Sequence, residues 1–218
     1  MTLFDWTYAW QILPDLLRAS LNTVGITLIG FLIAIVLGLF LAIGRRSRKV
    51  WLSWPATAVI EFIRSTPLLI QVYFLYYVLP NYGISMSAMQ VGIIGIGLHY
   101  ACYIAEVYRA GLDAVPRAQW EAVTALNMAP YGAYRTIILP QALRPILPPL
   151  GNYLVAMLKD TPVLSAITVV EIMQQAKNIG SENFRYLEPI TMVGLFFLTL
   201  SIALAYLVRR LEMRLELR

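Results

Sequence analysis

Five long apolar runs, parted by short polar stretches, organise the chain. They cover about 21–43, 55–79, 88–108, 150–173 and 189–208, each near the roughly 20 residues a helix needs to cross a bilayer. Apolar residues are continuous within each run and do not alternate over ten-residue stretches, which predicts helices rather than barrel strands. Ser20, Thr23 and Thr27, at the head of the first run, read as cap and helix–helix hydrogen-bonding positions. Trp6, Trp10, Trp51 and Trp54 fall near run ends, where indole rings suit the headgroup zone.

The rhythm changes once, over 111–149, a polar segment punctuated by prolines. Pro116 suits the first turn of a short helix, because the N–H it lacks would have no partner there. Residues 117–126 then read as helical, with Trp120, Val123 and Ala125 or Leu126 available to bury. Asn127 follows where a helix end turns left-handed, a conformation that Gly adopts freely and Asn tolerates next best. Pro130 opens a second short helix to about Ile138, and Pro140 is expected to stop it.

Composition turns these runs into a location. The 218 residues are 59% hydrophobic and 13% charged, against about 25% charged in soluble domains, so the chain is expected to be one all-α integral membrane domain over 1–218. It shows no solenoid-period repeat and no low-complexity linker. Its single cysteine, Cys102, excludes an internal disulfide framework and a cysteine-built zinc site. No metal or cofactor pattern is found. The start, MTLFDW, lacks the basic beginning of a cleaved signal peptide, so the first run is expected to be retained.

Charge gives the topology. With the N-terminus outside, the inner segments hold Arg45, Arg46, Arg48, Lys49, Arg109, Arg117, Arg135, Arg144, Arg209, Arg210, Arg214 and Arg218, and the outer ones only Arg18, Lys177 and Arg185. Twelve against three places the C-terminus in the cytoplasm. The net charge of +5 is thus a topology signal, and nothing supports a nucleic-acid partner.

Polar residues also enter the apolar runs: Glu61, Arg64, Ser65 and Thr66 before Pro67, Tyr103, Glu106 and Arg109 in the third run, and Lys159, Asp160 and Thr161 before Pro162. A charge at the bilayer centre costs at least about 2.5–3.5 kcal/mol, so these groups should face protein or water. Two readings fit them. They line a path for a zwitterion, or they brace helices where prolines free backbone carbonyls; bracing is favoured for Glu61, Arg64 and Asp160. Lys159 and Asp160 diverge by about 100° on a helix and suit other spans better than each other. His99, beside Tyr100 and Tyr103, reads as a packing residue.

Within the polar segment, WEAVTALNMAPYGAYRTIILPQALRPILPP sets Glu121-Ala122-Val123, Asn127 and Ile137-x-Leu139-Pro140 in fixed order. This order and spacing resemble the cytoplasmic loop of bacterial ABC-importer permeases, in which an ATPase subunit moves the membrane pore. Three further stretches are similar to the branch for polar amino acids: EFIRSTPLLIQVYFLYYVLP, YIAEVYRAGLDAVPRAQWEA and LPPLGNYLVAMLKDTPVLSAI. The likeness extends over about 19–210. The branch has Gly at the places of Asn127 and Ser65 and Ser at that of Pro162, and Pro162 should stiffen or kink the fourth span.

The resemblance implies a type I importer permease with five transmembrane helices and a coupling-helix loop at about 111–149. Glu121, Ala122, Asn127, Ile137, Leu139 and Pro140 would meet the ATPase. Glu61, Arg64, Thr66, Glu106, Arg109, Lys159 and Asp160 are the candidate pore or gate residues. The partners implied are cytosolic ATP-binding subunits, a second permease (a sister chain or a copy of this one), an extracytoplasmic solute-binding protein and membrane lipid. Solutes would be polar amino acids or related zwitterions such as ectoine, moved by alternating access. The chain has no G-x-x-x-x-G-K-[ST] sequence, so a separate subunit must hydrolyse ATP and this chain is expected to be no enzyme. The alternative is an ion-gradient-driven carrier or channel working without an ATPase, which leaves the Ile137-Leu139-Pro140 spacing unexplained.

Overall fold

The computed structural model describes residues 4–216. Residues 1–3 of the signal-peptide reading, and Arg218 of the charge count, lie outside the described residues. Every regular element described is helical: α1 Trp6–Arg46, α2 Val50–Arg64, α3 Leu68–Tyr73, α4 Ala88–Asp113, α5 Arg117–Ala125, α6 Pro130–Ala133, α7 Leu139–Asp160, α8 Ile172–Asn183 and α9 Leu187–Glu216. Among the described residues three helices are long and apolar enough to cross a membrane, and up to five spans result if each of two bent pairs counts as one.

The first helix starts at Trp6, well ahead of the first apolar run. Asp5 caps it, its carboxylate accepting from the N–H groups of Thr7 and Tyr8 at 3.0 and 3.1 Å. The Tyr8 N–H, ahead of those of Thr7 and the nearby Arg185, holds the Asp5 carboxyl below its ordinary range against a smaller opposing effect of burial. Ser20 is therefore no cap. It lies in mid-helix and donates to the Leu17 carbonyl at 2.7 Å. Thr27 donates back to Thr23, whose hydroxyl accepts the Ile172 N–H at 3.1 Å and ties α1 to the start of α8.

The second span is not the continuous helix its apolar run suggests. It breaks between α2 and α3 and bends by 106°. Pro67 has no N–H to continue the ladder and sits in an extended conformation as the N-cap of α3. Ser65, where the resembling branch has Gly, keeps an ordinary negative φ, so a side chain costs nothing there.

The fourth span differs in the opposite sense. Pro140 does not stop the helix; one helix runs from Pro130 to Ile167. A wide turn over Tyr134–Ile138, closed by the Leu139 N–H on the Tyr134 carbonyl, precedes the proline and absorbs the ladder bond that Pro140 cannot make. The same device precedes Pro80, where the Leu79 N–H bonds the Phe74 carbonyl. Pro162 tightens the helix into a 3-10 stretch, Thr161–Ile167, and a 46° bend leads into α8.

The core lies between α1 and α4, with α3 and α7 packed on it: Ile26, Ala34, Val72, Ile96, Ile104, Met157 and Leu164 are all essentially without exposed surface. Close approach needs bare backbone. A Cβ on Gly38 would stand 2.9 Å from the Ala101 carbonyl oxygen, and one on Gly97 would stand 3.2 Å from that of Gly30. At the far end, Arg185 pairs with Glu188 at 2.6 Å and with Asp5 at 3.5 Å, which binds the head of α1 to that of α9.

Candidate functional site

Polar side chains gather in three places along the bundle. The first is the protruding segment after α4. Pro116 is the N-cap of α5 and not its first helical residue. The helix closes in a Schellman arrangement, with Asn127 left-handed at φ 48°, its N–H on the Thr124 carbonyl and the Met128 N–H on that of Val123. Asn127 thus does the backbone work expected of its position.

The burial expected for α5 is not found. None of its residues is buried, and Leu126 is 72% exposed. Trp120 and Val123 are half-buried, and Trp120 leans edge-on to Tyr134 at 5.6 Å, against the cluster of Val115, Ile138, Ala142 and Ile146. Glu121 and Ala122 are exposed, as is Leu126 beyond them. Glu121 sits past the first turn, where it gains little from the helix dipole. Ile137 is half-buried beside the cluster and Leu139 and Pro140 are exposed, while the neighbouring Ile138 is fully buried. Ile138, to which the sequence pattern assigns no role, anchors the cluster, with Ile137 packed beside it.

The second place is the adjoining end of the bundle, where an ion network joins three helices. Arg45 of α1 donates to Glu106 of α4 at 2.6 Å and lies 3.2 Å from Glu61 of α2. Arg109 grips Glu106 through two nitrogens at 2.9 and 3.1 Å and reaches Asp113 at 3.0 Å. Arg46 also meets Asp113. Arg45 leaves no periodic trace in sequence, because Glu106 lies 61 positions away; Asp113 could have been found from its four-residue spacing to Arg109.

The third place is at mid-depth, in the middle of α4. Tyr100, Tyr103 and Tyr153 pack with tilted or edge-on rings, centroids 5.8–6.3 Å apart, and the Arg64 guanidinium lies over the Tyr103 ring at 5.4 Å. Asp160 accepts from the Tyr100 hydroxyl at 2.6 Å. Lys159 points elsewhere, into a hollow of about 440 Å³ between α7 and α9 that Phe197 and Ser201 also line. The two neighbours diverge, as their helical offset predicts. Thr66 closes the break in the second span, donating to the Phe62 and Ile63 carbonyls at 3.1 and 3.2 Å. His99 is a polar partner as well as a packing one: its Nδ1 lies 3.0 Å from the Gln71 carboxamide oxygen.

The candidate residues therefore fall into separate groups. Glu61, Glu106 and Arg109 share one network, Arg64 and Asp160 flank one tyrosine cluster, Thr66 belongs to the break, and Lys159 stands apart. Among the described residues no three His, Cys, Asp or Glu side chains are placed to hold a metal ion.

Comparison with known proteins fits this geometry. The profile of the family described as binding-protein-dependent transport system inner membrane component matches residues 34–217. A probable amino-acid ABC transporter permease of Sinorhizobium fredii is 46% identical over 98% of this chain and 93% of its own length. The glutamine transport system permease GlnP of Escherichia coli is 33% identical over 98% and 99%. Among solved structures, a chain of an amino acid ABC transporter crystallised with histidines superposes with a TM-score of 0.93 at 32% identity, covering 98% of this chain and all of that one. A chain of the inward-facing MetNI methionine ABC transporter shares the fold, with a TM-score of 0.73 at 18% identity.

Proposed function

The chain belongs to the family of binding-protein-dependent transport system inner membrane components, and from this we infer that it is the permease subunit of an ABC importer carrying polar amino acids or related zwitterions. ATP-binding subunits seat on α5, a solute-binding protein delivers cargo to the opposite face, and a second permease completes the pore. The N-terminus lies outside and the C-terminus in the cytoplasm, a reading supported by the twelve-to-three distribution of Lys and Arg. The 111–149 segment is then the inner, coupling loop.

The observation that carries this reading is the seating of α5. Its outer surface, with Glu121 and Ala122, is bare, while Trp120 rests on the cluster around Ile138. Ile138 lies on the one helix that runs from Pro130 to Ile167. That helix carries Tyr153, Lys159 and Asp160 at mid-depth. A push on α5 therefore reaches the tyrosine cluster with no loop between. Closure of the ATP-binding pair would swing the spans to face outward, and hydrolysis would return them.

The charged groups divide by place. Glu61, Glu106 and Arg109, tied together through Arg45, act as a brace at the inner end. Partly exposed pairs contribute little one at a time, about 0–1 kcal/mol each, but a shared network fixes how three helix ends move together. Arg64, over the tyrosines, supplies a cationic contact for the carboxylate of a zwitterion and Asp160 an anionic one for its ammonium, while Lys159, in its separate hollow, lies outside this cluster. The chain performs no covalent chemistry in this scheme.

Glu121→Lys tests the reading in proteoliposomes holding the complete transporter. The variant should insert and assemble, yet lose uptake of labelled amino acid while retaining uncoupled ATP hydrolysis. Normal uptake in this variant would overturn the assignment of α5. Uptake that persists without any ATP-binding subunit would point to a gradient-driven carrier instead.

A further inference from the structure

Two side chains hold the break in the second span, Thr66 from its near side and Gln71 from across it. Pro67 removes the N–H that the Ile63 carbonyl would otherwise receive, and the chain turns before α3 can offer another. Inside a membrane such carbonyls need an internal donor. Gln71 supplies it. Its carboxamide nitrogen lies 2.7 Å from the Ile63 oxygen, 3.0 Å from the Thr66 oxygen and 2.8 Å from the Thr66 hydroxyl. Two N–H bonds are shared among three acceptors on the far side of the bend.

This use of the nitrogen fixes the amide's direction, so its oxygen faces α4. There it meets Nδ1 of His99 at 3.0 Å. Gln71 offers only an acceptor at that point, so Nδ1 must carry the hydrogen. One helical turn before His99, Gly95 lets α3 come close: a Cβ there would stand 2.8 Å from Cγ1 of Val72. The neighbouring residues Gln71 and Val72 thus dock α3 on neighbouring turns of α4, one by a hydrogen bond and one by bare backbone.

Packing does not hold the other side. An apolar cavity of about 290 Å³ lies against the break, walled by Phe62, Ile70, Phe74, Leu75 and Leu98, with Gln71 at its edge. Where side chains leave such space, the polar bonds decide the angle.

We propose that Gln71, oriented by His99, is the positioning group that sets the 106° turn between α2 and α3, and through it the place of Arg64 against the tyrosine cluster. The inference rests on the transport reading above for its consequence, but not for its geometry. Neither residue touches cargo in this scheme; both act through Arg64, which ends the helix just before the break.

The test uses the full transporter in proteoliposomes, in a Cys102→Ser background, with spin labels at the exposed positions 65 and 110. Gln71→Leu and His99→Leu should broaden or shift the distance between the labels. His99→Asn, whose amide nitrogen can stand where Nδ1 stands, should restore it. In the same preparations, uptake per ATP hydrolysed should fall about tenfold in both leucine variants and recover in His99→Asn, the scale expected when a buried acceptor loses its donor. Uptake is measured with whichever labelled amino acid the unaltered complex accumulates best. An unchanged label distance in Gln71→Leu overturns the proposal whatever the transport result. A changed distance in a complex that accumulates no amino acid upholds the positioning role and sinks the transport reading alone.

Discussion

If motion enters through α5, the weak point of the relay is the floor on which α5 rests, and Ile138→Ala removes that floor. Ile138 is wholly buried among Val115, Ala142 and Ile146, with Trp120 of α5 above it. Truncation deletes three carbons. At about 0.8 kcal/mol per buried methylene, transfer alone costs roughly 2.4 kcal/mol, and the residual cavity raises this to about 3. The cluster joins α5, through Trp120, and the end of α4, through Val107, Tyr108 and Leu112, to the long helix, so the full loss is the ceiling for what α5 docking can show. Amide hydrogen exchange over residues 117–125 should accelerate by up to about 50- to 150-fold in the reconstituted permease. Ile138→Val, one methylene smaller, should accelerate it only about fourfold. Uptake per ATP should fall in the same order. Exchange in α5 unchanged by Ile138→Ala would refute the reasoning, because α5 would then be held by contacts other than this cluster.

Two further substitutions test local claims. Asn127→Gly should leave the end of α5 intact or slightly firmer, whereas Asn127→Val should cost about 1–2 kcal/mol through its left-handed φ, seen as faster proteolysis across 126–130. Gly38→Ala should push α1 from α4, since the new Cβ meets a backbone oxygen at 2.9 Å; a loss of about 1–3 kcal/mol should lower the thermal midpoint of the purified permease, and an unchanged midpoint would show that α1 can shift freely.

Much of this was legible in the chain. Hydropathy located three spans outright, and two more where the structure has bent pairs, because the bilayer demands a fixed length. Prolines and Asn127 located α5, because the rules for helix ends are local. What stayed hidden was nonlocal or compensated. The start of α1 was hidden because Asp5 caps a helix whose first turns are mixed in polarity. Pro67 and Pro140 look alike in sequence, yet one breaks a helix and the other does not, since only the second is preceded by a turn wide enough to spare its missing bond. The same holds for the polar contacts. Arg45 with Glu106, Tyr100 with Asp160 and Gln71 with His99 each join different spans, and no spacing rule connects them.

The unbroken helix from Pro130 to Ile167 has a thermodynamic corollary. At 1.5 Å per residue it is about 55 Å long, longer than the hydrocarbon it crosses. Pro145, Pro148 and Pro149 each omit a ladder bond within it, but no loop interrupts the path, so free energy spent at one end is felt at the other. Linkage then runs in each direction: cargo that prefers one tilt must shift nucleotide affinity by the same factor that nucleotide shifts cargo affinity. Emptiness at mid-depth would be communicated to the motor as faithfully as occupancy.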